Sequence, residues 1–314
     1  MPTSINPGLA KSGQGRSDGR RVSETNEGRS KERFSLDLSA LIRIEIADDP
    51  GSSLVPLLDL VRLSAEAIPL YRAVYAGLVP PISIEEFRSL PIAHLQDYSN
   101  LSSIDDMMNP HEELFTTLGP WNRSEPQFPR PLVCSAADYA AFVDRSLYLC
   151  EQAAITREDR VVLLVGLDQL CASANISDAL AANRYSSMAI LAVGDIDTIR
   201  TELAQVRPEA VFWMTRTPLR WDALPETTKV AVTFNSPTGP TGSARSYDVL
   251  HRDDVPLMAV SDESGIYHAP KGHFFFERSN QGTLVVTTLK NTLAPLIRYD
   301  TRQVCTRAQE RSHL

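Results

Sequence analysis

The stretch "RVVLLVGLDQLCASANISDALAANRYSSMAILAVGDIDTIRTELAQV", residues 160 to 206, sets the reading of the fold. Its two continuous aliphatic runs, 160–167 and 187–193, are short enough for strands buried on both faces. Between them the chain through "SDALAAN" is helical, and Asp195 stands at the start of a second helix, "DIDTIRTELAQV". Downstream, "AVFWM" (210–214), "VAVTF" (230–234) and "LMAVS" (257–261) are further strands. Strand and helix alternating at this spacing predict an α/β protein with layered, mostly parallel sheets and flanking helices. The pattern then changes. "HFFFERSNQGTLVVTTL" (273–289) predicts a β-rich C-terminal part, with a hairpin turning around Asn280 to Gly282.

Upstream, "LVPLLDLVRLSAEAIPLYRAVYAGL" (54–78) has helical periodicity interrupted at Pro69. Ser83 with Glu86, and Ser135 with Asp138, have capping-box spacing. The first predicts a short helix ending by Pro91, the second a longer helix through "AADYAAFVDRSLYLCEQAA". Residues 1–34 are polar and Gly/Ser-rich, too poor in apolar surface to offset their ordering entropy. They predict a disordered tail, followed by one large domain over 35–306 and a short tail at 307–314.

The 314 residues are 43% hydrophobic and 22% charged, with a formal net charge of -8. An acidic chain without a basic patch argues against nucleic-acid binding, where phosphate neutralisation dominates. No apolar run is long enough for a membrane span, and no secretory h-region opens the sequence. Cys134, Cys150, Cys171 and Cys305 lack Cys-x-x-Cys spacing and read as reduced thiols of a cytoplasmic protein. The six histidines form no short-spaced ligand pattern, so no metal site is expected.

Five landmarks in order carry a resemblance. They are "IPLYR" (68–72), "SIEEFRSLPI" followed by "QDY", the helix after Ser135, "SDESGIYHAPKGHFFFE" (261–277) and "GTLVVTTLKNTLAPLIRYDTRQV" (282–304). Together they resemble the phenylacetate–CoA ligase branch of the adenylate-forming superfamily, over roughly residues 55 to 306. The resemblance implies the fold of that superfamily's large N-terminal domain. It also implies an enzyme that activates a carboxylic acid with ATP and Mg²⁺ as an acyl-adenylate, then passes the acyl group to CoA.

The motifs that serve the nucleotide depart from the family's pattern. Where the resemblance implies a Ser-Ser-Gly-Thr-Thr-Gly-x-Pro phosphate loop, this chain has "NRSEPQFP" (122–129), without glycine and with Glu125. Successive N–H groups cannot readily converge on a phosphate there, and an added carboxylate repels one. Where the ribose-binding acid is implied, Gln303 stands. Asp300, three residues earlier, has the parity of the opposite strand face. The family's Tyr-Gly-x-Thr-Glu is matched onto 259–263, which keeps the acid as Glu263 and replaces the stacking aromatic with Ala259. After Thr306 only "RAQERSHL" follows, in which no lid lysine can be assigned.

These departures predict a diverged relative that binds an aromatic or acyl carboxylate-derived substrate, in specialised metabolism, without adenylating it alone. ATP, Mg²⁺ and CoA belong only to the alternative reading, an atypical acyl-adenylate or CoA ligase. A third reading is a noncatalytic module for a partner enzyme or carrier protein; a homodimer is a further open alternative. The candidate catalytic residues are Glu263 and His268. Candidate substrate contacts are Asn235, Ser236, Thr238, Gly239, Ser261, Asp262, Gly265 and Arg298. The loop "NSPTGPTGSA" (235–244) reads either as a tight surface turn or as the lining of a pocket at a strand's carboxyl end. His273 and Arg298 likewise each have a structural reading, the latter pairing with an acid or backbone carbonyls.

Overall fold

Aliphatic runs and amphipathic helices alternate as expected, and their strands form one mixed eleven-stranded sheet. The structure, a computed structural model, describes residues 41–46, 51–99, 101, 103–117, 133–192, 195–215, 219–235, 244–252 and 254–308. The expected tail at 1–34, the segment 122–129 and the candidates Ser236, Thr238 and Gly239 lie outside the described residues. All described residues fall in one unit, Leu38–Leu314.

In chain order the first elements are β1 (Ile42–Ile44), α1 (Leu54–Ala67), α2 (Pro69–Val74), α3 (Ile84–Ser89) and α4 (Leu95–Ser99). A two-stranded ribbon, β2 (Thr116–Thr117) with β3 (Val133–Cys134), precedes α5 (Ala136–Gln152). The alternating region follows as β4 (Arg160–Val165), α6 (Leu170–Ala182), β5 (Ser186–Leu191), α7 (Ile196–Val206), β6 (Ala210–Met214) and β7 (Val230–Phe234). The last elements are β8 (Arg245–Leu250), β9 (Ala259–Ser261), β10 (Ile266–His268), β11 (Phe274–Arg278), β12 (Thr283–Thr288) and β13 (Tyr299–Arg307).

Across the sheet the order is β11-β12-β13-β1-β10-β9-β8-β7-β6-β4-β5. Pairing is parallel from β5 through β8 and around β1, and antiparallel at β8–β9, β9–β10 and β11–β12–β13. The β-hairpin expected around Asn280 to Gly282 is β11–β12. Side chains of a strand alternate between faces, and β4 shows the consequence. Val161, Leu163 and Val165 pack with Phe142, Leu149, Ile176 and Leu180 of α5 and α6. Val162 and Leu164 pack with Ile199 and Leu203 of α7 on the other face. That two-sided burial is why the run is aliphatic throughout.

The caps explain where helices begin. Ile68 is extended between α1 and α2, and Pro69 occupies the first turn of α2, where its missing N–H costs nothing. Ser83 accepts from the Glu86 N–H at 3.2 Å, whereas the Glu86 carboxylate reaches back to Ile82, one residue beyond a reciprocal box. At α5 the box is complete, and buried Asp138 does more. Its carboxylate also accepts from the Thr292 N–H at 2.6 Å and the Leu293 N–H at 3.2 Å. One acid thus ties the start of α5 to the segment before β13.

Two elements differ from expectation. β8, "RSYDVL", was within or next to the predicted loop, since its polar letters hide a buried strand. Asp248 is buried there because hydroxyls satisfy it: Thr233 donates at 2.7 Å and Tyr267 also donates to its carboxylate. The strand expected at 257–261 is shortened, because Leu257 has φ 53° and only Ala259–Ser261 is extended.

Candidate functional site

Ligands of open α/β sheets bind beyond the carboxyl ends of parallel strands, and here β7 and β8 end side by side. Asn235 follows β7 in the left-handed region at φ 53°, a conformation Asn tolerates better than most residues. Its N–H donates to the Val249 carbonyl at 3.1 Å. Its side-chain amide accepts from the His251 N–H at 2.9 Å and donates to the His251 carbonyl. The ends of β7 and β8 are thereby locked together, with Phe234 and His251 edge-to-face at 5.9 Å. Buried His251 accepts from the Leu257 N–H at its Nδ1 at 3.3 Å, and burial pushes its pKa down to about 3.

Beyond His251 the chain supplies an ion pair between part-exposed Arg252 and buried Asp254. Arg252 donates through Nε and a terminal nitrogen to both oxygens of Asp254, at 2.9 and 3.0 Å. The Tyr299 hydroxyl donates to the same carboxylate. Burial raises the phenol's pKa, so it keeps the proton it donates. Tyr299 in turn meets Tyr98 edge-on at 5.5 Å. Tyr71 donates to the Pro295 carbonyl at 2.6 Å and accepts from the Ile297 N–H at 3.0 Å, fixing the approach to β13.

The matched "SDESGIYH" segment leaves β9, turns away from these strand ends and returns in β10. Val260 is opposite Val249 and Ala259 opposite Leu250, so β9 runs back along β8 towards Arg245. At about 3.3 Å per residue, Glu263 is on the order of 13 Å along the strand direction from the level of Asn235. Glu263 is exposed on the β9–β10 turn, and Gly265 takes φ 75° there. Asp262 builds that turn, accepting from the N–H groups of Ser264 and Ile266 at 2.8 and 3.0 Å. Ser261 is buried and accepts from the Asp248 N–H at 2.7 Å. His268 bridges two carboxylates, Nδ1 to Glu45 and Nε2 to Asp262, each at 3.0 Å. Burial alone would lower its pKa, but the two carboxylates raise it, while Asp262 is held down at about 2.

The candidates therefore divide. Asn235 stands at the carboxyl-end cluster; Ser261, Asp262, Glu263 and Gly265 stand with the turn, and His268, level with Val249 at the end of β10, is tied back to the turn through Asp262. Arg298, with φ 48°, lies buried against Glu277 at 3.1 and 3.2 Å, donates to the Leu90 carbonyl and stacks over Phe87 at 5.7 Å. Asp300 Oδ2 is 3.6 Å from His94, and the Gln303 side-chain oxygen is buried without a partner among the described residues. Burial pushes the pKa of His273 down to about 4. Among the described residues no group of three or more His, Cys, Asp or Glu is arranged to hold a metal, and no helix is long and apolar enough to cross a membrane.

The residues that sequence reasoning missed are His251, Arg252 and Asp254. A usable signal existed. Arg252 and Asp254 stand directly after β8, and charged residues just beyond the carboxyl end of a strand mark a candidate site. With β8 unrecognised as a strand, that position had no strand end to refer to.

No known family profile matches the sequence, and no curated protein matches it. The fold does match solved structures of 2-hydroxyisobutyryl-CoA ligase. An open conformation in complex with 2-HIB-AMP and CoA superposes with TM-score 0.65 at 18% identity, over 80% of this chain and 68% of that one. The thioesterification state, also with 2-HIB-AMP and CoA, gives TM-score 0.61 at 19% identity, over 80% and 62%. The postadenylation state in complex with 2-HIB-AMP gives the same figures. The chain thus spans 62 to 68% of the length of these relatives. A mixed eleven-stranded sheet with helices on both faces and a strand-rich C-terminal part is thus a fold shared with these solved acyl-CoA ligase structures.

Proposed function

We propose that this chain binds a small aromatic or acyl carboxylate, or an activated derivative of one, beyond the carboxyl ends of β7 and β8. We further infer that it does not adenylate that ligand by itself, and that its setting is specialised metabolism. The observation that carries this reading is the condition of Asp254. It is the acid at the strand ends, where adenylation would need a carboxylate for Mg²⁺. Its oxygens are already held by a bidentate guanidinium and a phenol. A divalent cation there would meet the positive charge of Arg252 and an occupied carboxylate, so this donor set does not suit the ion. The other acid, Glu263, lies along β8 from the Asn235 level, on an exposed turn where its neighbour Asp262 is engaged by Ser264, Ile266 and His268.

Two further features support the reading. The implied ribose acid is Gln303, a neutral amide and a weaker acceptor for a hydroxyl pair than a carboxylate. The Asn235–His251 lock and the Phe234–His251 contact make a preformed, part-apolar wall, the kind of surface that receives an aromatic or acyl group. What these residues do is bind and orient; no step of chemistry is assigned to them.

The test uses the purified full chain. Thermal unfolding is followed with aryl and short acyl carboxylates and their CoA thioesters, with and without MgATP, beside carboxylate-dependent ATP–pyrophosphate exchange. A ligand that binds only the folded state at a hundred times its Kd adds about 2.7 kcal/mol. The expected result is stabilisation by a carboxylate or thioester, none by MgATP, and no exchange. Exchange at an enzymatic rate by the chain alone overturns the reading and restores the ligase. Glu263→Gln is expected to leave the ligand-induced shift unchanged.

A further inference from the structure

The eleven-stranded sheet has two edges, and they are finished differently. At one edge β11 is buried through Phe274, Phe275, Phe276 and Glu277. At the other, β5 pairs with β4 alone among the described residues, and Met188 and Leu191 are 52% and 48% exposed. The Ala192 N–H donates to Val165 of β4 at 2.8 Å, which sets the phase of the strand. By alternation, the backbone groups of Ser187, Ala189 and Leu191 point away from the sheet.

An open edge with free backbone groups invites another strand, and proteins usually blunt it with charge, proline or a bulge. "SSMAIL" has neither charge nor proline, and its register with β4 is unbroken over all six residues. Its flanks are of opposite sign. Exposed Arg184 precedes the strand, and Asp195 and Asp197 follow it, Asp197 being paired with Arg200 at 2.6 Å so that Asp195 carries the uncompensated charge nearest the strand. A strand that is neutral along its length, cationic before and anionic after is complementary to an antiparallel copy of itself.

We propose that two copies of this chain associate through β5, antiparallel about a two-fold axis at Ala189, making their sheets continuous. With that centre, Ala189 opposes Ala189 of the second copy and Ser187 opposes Leu191, so the outward N–H and C=O groups of all three are exchanged. On one face Met188 then meets Ile190 of the second copy, covering a side chain now half in water. Along the strand no like charges are opposed, and each Arg184 approaches the other copy's acidic flank. Peptide with another edge sequence would lack that match. The pairing is independent of the ligand reading.

The experiment is sedimentation velocity on the full chain from low to high micromolar concentration, with hydrogen exchange at the β5 amides. A dimer is expected, with Ser187, Ala189 and Leu191 amides gaining protection as concentration rises. Ala189→Lys and Ala189→Glu each set like charges face to face across the axis and are expected to weaken the dimer by about tenfold or more. Because Ala189 is exposed in the single chain, both variants are expected to keep the wild-type circular dichroism. Mixing the two variants is expected to restore a heterodimer, an outcome that a loss of fold cannot produce. A wild-type chain that stays monomeric overturns the proposal, including the case where its own residues protect the edge at every concentration. So does an Ala189→Lys dimer as tight as wild type.

Discussion

His251 follows β8 and His268 ends β10 level with Val249, so both stand towards the same end of the β8–β9–β10 ladder, yet their surroundings drive them in opposite directions. His251, at the end of β8, is buried with its Nδ1 bonded to a backbone N–H, and desolvation keeps it neutral. His268, in β10, is partly exposed between the carboxylates of Glu45 and Asp262, which favour the charged ring. The first belongs to a buried polar cluster that holds strand ends in place. The second belongs to a solvated clamp on a turn. Position in the pattern of the sequence put His268 forward as the acid–base candidate; the geometry bonds His251 to Asn235 in the buried cluster and ties His268 to Glu45 and Asp262.

The comparison breaks most visibly at Asp254. Asp254→Ala leaves Arg252 without its buried carboxylate, and breaking such a pair costs about 3–5 kcal/mol. Urea unfolding is expected to show that loss, and a change below about 1 kcal/mol would mean that the strand-end cluster is not part of the core.

Acid titration sharpens it next. Above about pH 6.5 His251 is neutral in both states and contributes no pH dependence. Below that, the unfolded chain takes up a proton that the folded one refuses until about pH 3. Stability therefore falls with falling pH across that window, at on the order of 1 kcal/mol per pH unit for this one site. His251→Asn, whose amide oxygen can still accept from Leu257, is expected to flatten the slope between those limits. An unchanged slope would show that His251 protonates in the fold. His273, also pushed down, to about 4, supplies a second such contribution.

The smallest effect is at the clamp. His268 has its pKa raised, so its stabilisation is complete below the unfolded value near 6.5 and is lost as pH rises through the folded one. Asp262, held at about 2, contributes above its unfolded value and loses that contribution as pH falls towards 2. The clamp is accordingly strongest between about pH 4 and 6.5. Since both carboxylate partners are well exposed, His268→Gln is expected to cost only about 0.5 kcal/mol at pH 5.5 and nothing measurable at pH 9. Thermal melts at the two pH values read that difference directly.

How far the fold could be read from residue order depended on who satisfies whom. β4, β6 and β7 are apolar on both faces because helices or other core cover both, and their letters say so without any partner being known. The helix starts at Ser135 and Asp195 were legible for a similar reason, as cap and capped group lie within three residues. β8 was not legible. Asp248 is tolerable in a buried strand because partners such as Thr233 and Tyr267, 15 and 19 residues away, bring their hydroxyls to it. The site followed the same rule: Asn235 was found from its place after a strand, whereas Asp254 needs Arg252, Tyr299 and the end of β8 to become recognisable.

By itself, the sequence determined the alternation of strands and helices, the local caps, the β-hairpin near Gly282 and the class of the fold. These follow from periodicity and from hydrogen bonds between near neighbours, which the chain carries wherever it goes. Tertiary structure alone decided which acid stands at the strand ends, which histidine has its pKa pushed down and which up, and which edge of the sheet lacks a second partner among the described residues. Each of those depends on burial and on partners far apart in sequence, and desolvation acts on a side chain only after the fold has closed around it.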